Sequence, residues 1–205
     1  MAYTNFSNKD LEEKFGRSIK GSYLFAQKPI QPIEPSSWLI ETIQRGRKLG
    51  LGSEKSRSER FVNPVLTEMH HIEGETFGIL SGVNLDVDIA QGLNGEIDFL
   101  LSFNQVEDIV KSPIFAITEA KKNEIEAGSI QCSAQLIAAQ IFNERDNFHY
   151  PYLYGCSTTG IEWRFIQMIG KDLYFDIDRY SIYELPQLLG VLKYIIDDAK
   201  AFNNE

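Results

Sequence analysis

The chain has 205 residues, of which 43% are hydrophobic and 24% charged, enough for one domain with a sizeable core. Its formal charge of −9 counts against a protein that holds nucleic acid through a broadly basic surface. No apolar run approaches the roughly 18 residues that span a bilayer, and residues 1–6 carry neither a basic nor an apolar signal region, so the expectation is a cytoplasmic chain with no membrane partner.

A short helix is expected over 8–15, with Asn8 as its cap. Pro29, Pro32 and Pro35 then mark an extended linker, because a residue before proline is pushed out of the helical region. Residues 1–35 therefore read as an N-terminal extension and linker, and 36–205 as a single domain. A helix starts near a serine cap at Ser36 and Ser37 and loosens at Gly46, Gly50 and Gly52. Phe61, Val62, Val65, Leu66 and Met69 recur at three- and four-residue spacing, which predicts an amphipathic helix that Pro64 kinks or delays. His70 and His71 read as helix-end residues rather than ligands.

From residue 76 the period shortens. Strands are expected over 77–88, 96–103 and 114–120, with a turn at 92–95 and a connection through Asp108 and Lys111. A helix follows over 128–142. Ile130, Ala134, Ile137, Ala138 and Ile141 line its apolar side, and Gln131 and Gln135 flank that side one turn apart. Strands over 151–156, 161–169 and 173–177 form a meander, and Leu188, Leu189, Leu192, Ile195, Ile196 and Ala199 mark a final helix. This order gives an α/β fold: a mixed central sheet flanked by helices on both faces. Cys132 and Cys156 have no CxxC spacing and read as buried, inert thiols. Tyr152, Tyr154, Trp163 and Phe165 read as sheet packing rather than base-stacking platforms.

Two expected strands carry ionisable groups where a buried strand should carry none. Asp98 lies within an apolar run, and Glu119 and Lys121 end another. Residues i and i+2 of a strand face the same way, so Glu119 and Lys121 project side by side. If the two strands pair, Asp98 joins them. Two carboxylates and an ammonium at a sheet edge would bind a hard divalent cation with a water beside it, the equipment for metal-assisted phosphodiester hydrolysis. Arg45, Arg47, Lys48, Lys55, Arg57 and Arg60 cluster in one segment, either as a solvated face or as a surface that contacts phosphates.

Gly95-Glu96-Ile97-Asp98, then Glu119-Ala120-Lys121, then a helix bearing Gln131 resemble the PD-(D/E)xK, or restriction-endonuclease-like, superfamily. More narrowly, residues 53–59, Pro64-Val65-Leu66, Gly128-x-x-Gln131-Cys132 and Tyr154-Gly155-Cys156 are similar to bacterial proteins akin to the N-terminal nuclease domain of type I restriction enzyme R subunits. The chain lacks the proline that commonly precedes the first acidic residue. The resemblance implies that Asp98 and Glu119 hold Mg²⁺ (with Mn²⁺ as a substitute), with the Ala120 carbonyl as a further ligand. It also implies that Lys121 orients or helps deprotonate the attacking water, and that Gln131 completes the site. An acidic residue from the first core helix often joins such sites; Glu59 is the choice here, with Glu54 close behind.

The implied activity is Mg²⁺-dependent hydrolysis of nucleic acid, DNA foremost, by a homodimer or with separate partner subunits. Two alternatives stand beside it: a catalytically inactive nuclease-fold subunit for binding or assembly, and a metal-dependent enzyme acting on a small phosphorylated substrate.

Overall fold

The computed structural model describes residues 2–104 and 109–203, so the expected connection at Asp108 lies outside the described residues. A 3-10 turn (Tyr3–Asn5) and helix α1 (Asn8–Phe15) lead into strand β1 (Ser18–Ser22). Helix α2 (Ser37–Gly46), the short α3 (Glu54–Arg57), a π-helical turn (Ser58–Val62) and α4 (Asn63–Ile72) precede strands β2 (Gly78–Asn84), β3 (Glu96–Ser102) and β4 (Ile114–Ala120). Helix α5 (Ile125–Arg145) is followed by β5 (Tyr152–Thr158), β6 (Glu162–Ile169), β7 (Asp172–Asp176) and the short β8 (Tyr180–Ser181). A 3-10 turn (Ile182–Glu184) opens α6 (Leu185–Asn203).

Local chemistry fixes several of these ends. The cap of α1 is Ser7, one residue before the expected Asn8. Its Oγ accepts the Asp10 N–H at 3.2 Å, while Asp10 Oδ2 accepts the Ser7 N–H at 2.9 Å, a reciprocal capping box. Ser36 Oγ likewise accepts the Leu39 N–H at 3.2 Å and starts α2. In a regular helix Pro64 would leave the Arg60 carbonyl without a donor and crowd it. The wider turn at Ser58–Val62 absorbs that mismatch, and Pro64 falls in the first turn of α4, where a missing N–H costs little.

The strands form one eight-stranded sheet in the order β1-β7-β6-β5-β4-β3-β2, with β8 beside β6. The β1–β7 and β4–β5 pairs are parallel and the others antiparallel. Helix α5 is the crossover that parallel β4 and β5 require. On one face, Phe99, Leu101, Tyr154 and Phe165 belong to a core with Phe61, Leu66 and Leu188. On the other, Leu100, Ile117, Leu153 and Ile166 belong to a core with Cys132 and Leu136 of α5. Tyr154, Trp163 and Phe165 are buried, as are both cysteines.

Residues before 36 are more than an extension. Strand β1 adds to the sheet edge through β7, and Tyr3, Phe6 and Leu11 are buried in the core on the α5 side. The proline-rich stretch does run without helix or strand, but it packs on α6. The Ile33 N–H donates to the Pro186 carbonyl at 2.9 Å. A Cβ on Gly190 would lie 2.4 Å from the Gln31 carbonyl oxygen, so only glycine lets the helix pass there.

Candidate metal centre

The paired register of β3 and β4 ends with Phe99 opposite Thr118. Beyond it, the Asp98 carboxylate takes over a bond from the backbone: Oδ2 accepts the Ala120 N–H at 2.7 Å. Strand alternation places Asp98 with Leu100, and Glu119 with Ile117, on the face covered by α5. Lys121 follows two residues on. Its Nζ lies 2.8 Å from Glu119 Oε1 and 3.8 Å from Glu54 Oε1.

Glu54 is the third carboxylate. It is the first residue of α3, whose start is fixed by Ser53 Oγ accepting the Ser56 N–H at 3.0 Å. One carboxylate oxygen each from Glu54, Asp98 and Glu119 lie within 4.8 Å of one another. Among the described residues, no other group of three His, Cys, Asp or Glu side chains is spaced to share an ion. This partly buried acidic cluster could hold a metal ion.

Of the two acidic residues weighed for the helix, the structure brings Glu54 into the cluster and not Glu59. Glu59 lies five positions after Glu54, past the end of α3 and inside the π-helical turn. The Glu59 side chain is 60% exposed and sits 3.9 Å from Lys55 Nζ. It is not one of the three carboxylates that cluster. Ala120 lies between Glu119 and Lys121, with its N–H on Asp98 and its side chain in the core on the opposite face. Gln131 is buried and lines the cleft above the carboxylates. The amide that reaches a carboxylate is Gln135, one turn on: its Nε2 donates to Glu119 Oε2 at 2.7 Å. Both glutamines flank the apolar side of α5 in the sequence, but spacing alone does not say which one meets Glu119.

Helix α5 can approach this closely because residue 128 has no side chain. A Cβ on Gly128 would lie 2.2 Å from Ser157 Oγ and 2.7 Å from Lys121 Cγ. Ser157 Oγ donates to the Ile125 carbonyl at 2.9 Å and ties the start of the helix to β5.

Burial sets the electrostatics. With a side chain only 3% exposed, Glu119 is pushed up to about 7, by loss of water first and by the Asp98 carboxylate second. Burial also raises Asp98, against the pull of the Ala120 N–H and Lys121. Lys121 is drawn down by burial, but Glu119, Glu54 and Asp98 outweigh that and raise it overall, so its ammonium stays charged. Three ionised carboxylates and one ammonium carry a net double negative charge, which a divalent cation neutralises.

Glu96, Gly95 and the segment from Ala2 to Thr4 complete the cleft around the cluster. The basic segment is largely engaged with its own chain. Arg57 donates to the Leu51 and Thr159 carbonyls, Arg60 to the Gly50 carbonyl and Arg45 to Glu41. Arg47 stacks 4.4 Å over the Tyr183 ring.

No helix is long and apolar enough to cross a membrane among the described residues. No family model, curated protein or solved structure matches this chain.

Proposed function

We propose that this chain is a Mg²⁺-dependent phosphodiesterase acting on nucleic acid, with DNA as the first substrate to test. One observation carries the reading: three carboxylate oxygens within 4.8 Å of one another, with an ammonium 2.8 Å from one of the three carboxylates. The donor set is all oxygen, which suits Mg²⁺ or Mn²⁺ rather than a soft metal. The order of the residues along the chain supports it further, because an aspartate in one strand followed by Glu-x-Lys ending the next resembles the PD-(D/E)xK pattern.

Glu54, Asp98 and Glu119 would hold the ion. Bound there, it supplies charge neutralisation at the scissile phosphate and a lowered pKa for an attacking water. The chain's own groups do the rest. Lys121 keeps its proton on Nζ and offers positive charge to the phosphate or the water beside Glu119. The Ala120 N–H and Gln135 Nε2 hold the two strand carboxylates in one orientation, so that they need not reorganise when substrate arrives.

The acidic cleft and the engaged arginines favour, as a second reading, a subunit that keeps this fold for binding or assembly without cleavage. Incubation with plasmid and single-stranded DNA in Mg²⁺ separates the two. The first reading expects cleavage that EDTA stops and that Asp98→Asn lacks. Retention of DNA without turnover by the natural protein favours the second.

A further inference from the structure

We infer that the cleft admits single-stranded rather than duplex nucleic acid, and that the segment from Ala2 to Thr4 sets this selectivity. The inference rests on reading this cleft as a nucleic-acid site.

The reactive groups are recessed. The side chain of Glu119 is 3% exposed and that of Lys121 17%. Above them the cleft is bordered by Glu54 of α3, Gln131 of α5, and Ala2 and Thr4. That last wall is built into the core. The Tyr3 ring is buried, its Oη donates to the Leu85 carbonyl at 2.6 Å, and its N–H donates to the Asn94 carbonyl at 3.3 Å. Residues 2 and 4 are therefore held in place by the anchor between them. A flexible strand can bend one phosphate down past such a border. A duplex must bring its second backbone with it.

Charge points the same way. Glu54, Glu96, Asp98 and Glu119 line the cleft, with Lys121 as its one cation among the described residues, and that cation is already paired with Glu119. The arginines of the neighbouring basic segment are bonded to backbone carbonyls, Glu41 and a tyrosine ring. A duplex carries a charge about every 1.7 Å along its axis, against about 3.4 Å for one strand, and needs correspondingly more cationic contacts. The cleft lining itself supplies few, and the exposed cations that follow its residues in the chain are Lys55 and Lys122.

The test uses the full chain and two probes, a fluorescein-labelled oligonucleotide alone and annealed to its complement. Anisotropy titrations in Ca²⁺ read binding without depending on turnover, and matched reactions in Mg²⁺ read cleavage. The single strand is expected to bind more tightly by roughly tenfold or more and to be cut faster. Tyr3→Ala, which frees the wall, should move the ratio toward one, whereas Tyr3→Phe should keep it. Thr4→Gly trims an exposed side chain outside the core and should narrow the ratio in part, so the wall is tested even if Tyr3→Ala does not fold. Duplex bound as tightly as single strand overturns the selectivity, while cleavage that Asp98→Asn abolishes would leave the phosphodiesterase reading standing. A single-strand preference without any cleavage keeps the selectivity and removes the hydrolytic reading. Binding of neither probe overturns both.

Discussion

Gln135 Nε2 donates to Glu119 Oε2 at 2.7 Å, and both residues are buried. Lys121 holds the other oxygen of the same carboxylate. Glu119 is thus gripped from a helix on one side and from its own strand on the other. Gln135 Oε1 has no partner among the described residues, so removing the amide costs the site only the Nε2 bond. Gln135→Leu should weaken Mg²⁺ binding by about tenfold to a hundredfold. It should also lower stability by about 1–3 kcal/mol where Glu119 is ionised. Calorimetric titration and urea denaturation measure the two effects separately.

Lys121→Ala removes the ammonium closest to the carboxylates. Metal affinity should be retained or tightened, because the cluster becomes more negative. Cleavage should fall by about 10²- to 10³-fold, the scale seen when one charge-stabilising group is lost from an active site. Parallel loss of metal binding and activity would assign Lys121 to building the site instead.

The raised Glu119 predicts an unusual pH profile. Its carboxyl titrates near about 7 in the folded chain, above its ordinary value of 4.5. Between those values the native state holds more protons than the unfolded one, so the metal-free protein loses stability as pH rises. This contribution is complete below about 4.5 and is lost as pH passes about 7. An ion needs the ionised carboxylate, so Mg²⁺ affinity should climb over the same window and binding should release protons. Melting temperatures with EDTA should fall from about pH 5 to about pH 8, and Mg²⁺ should oppose the fall. A flat metal-free profile would show that Glu119 is not held protonated.

Gly128→Ala should cost about 1–3 kcal/mol by overpacking, since the new methyl meets Ser157 Oγ and Lys121 Cγ well inside contact distance. It should weaken metal binding as well, because α5 carries Gln131 and Gln135 away with it. Gly50→Ala is the matched control, with nothing within 4 Å of the added carbon and no left-handed backbone, and should change neither quantity. Urea denaturation and calorimetry on both variants decide this.

Glu54 and Glu59 offer a direct contrast. Glu54→Gln should weaken Mg²⁺ binding by removing one of the three carboxylates. Glu59→Gln, with its side chain 60% exposed and paired with Lys55 at 3.9 Å, should bind as the natural protein does. Equal affinities for the two variants would remove α3 from the site.

Much of the sheet is legible in the sequence because its central strands are strongly apolar. Ile114–Ala120 is buried at every position, and an apolar run with Glu119 near its end singles out both the strand and the candidate site. Strand β1 escapes such reading. Ser18–Ser22 holds one apolar residue, Ile19, and lies half-exposed at the sheet edge, so its pairing with β7 depends on a neighbour some 150 residues away. Tyr3 likewise shows no signal, since its partners at Leu85 and Asn94 are distant in sequence. Asp98, Glu119 and Lys121 are readable because ionisable groups stand out in apolar strands. That Glu54 rather than Glu59 joins the carboxylates, and that Gln135 rather than Gln131 bonds Glu119, depends on helix phase and approach, which the π-helical turn and Gly128 set in three dimensions.

If Glu54, Asp98 and Glu119 share one divalent cation, calorimetric titration of the metal-free chain with Mg²⁺ will show it. The natural protein should bind one ion per chain near the carboxylate cluster, and Asp98→Asn should lose that signal while keeping its fold by circular dichroism. An unchanged isotherm in the variant, or no stoichiometric binding by the natural protein with the Glu119 carboxyl ionised, would contradict it.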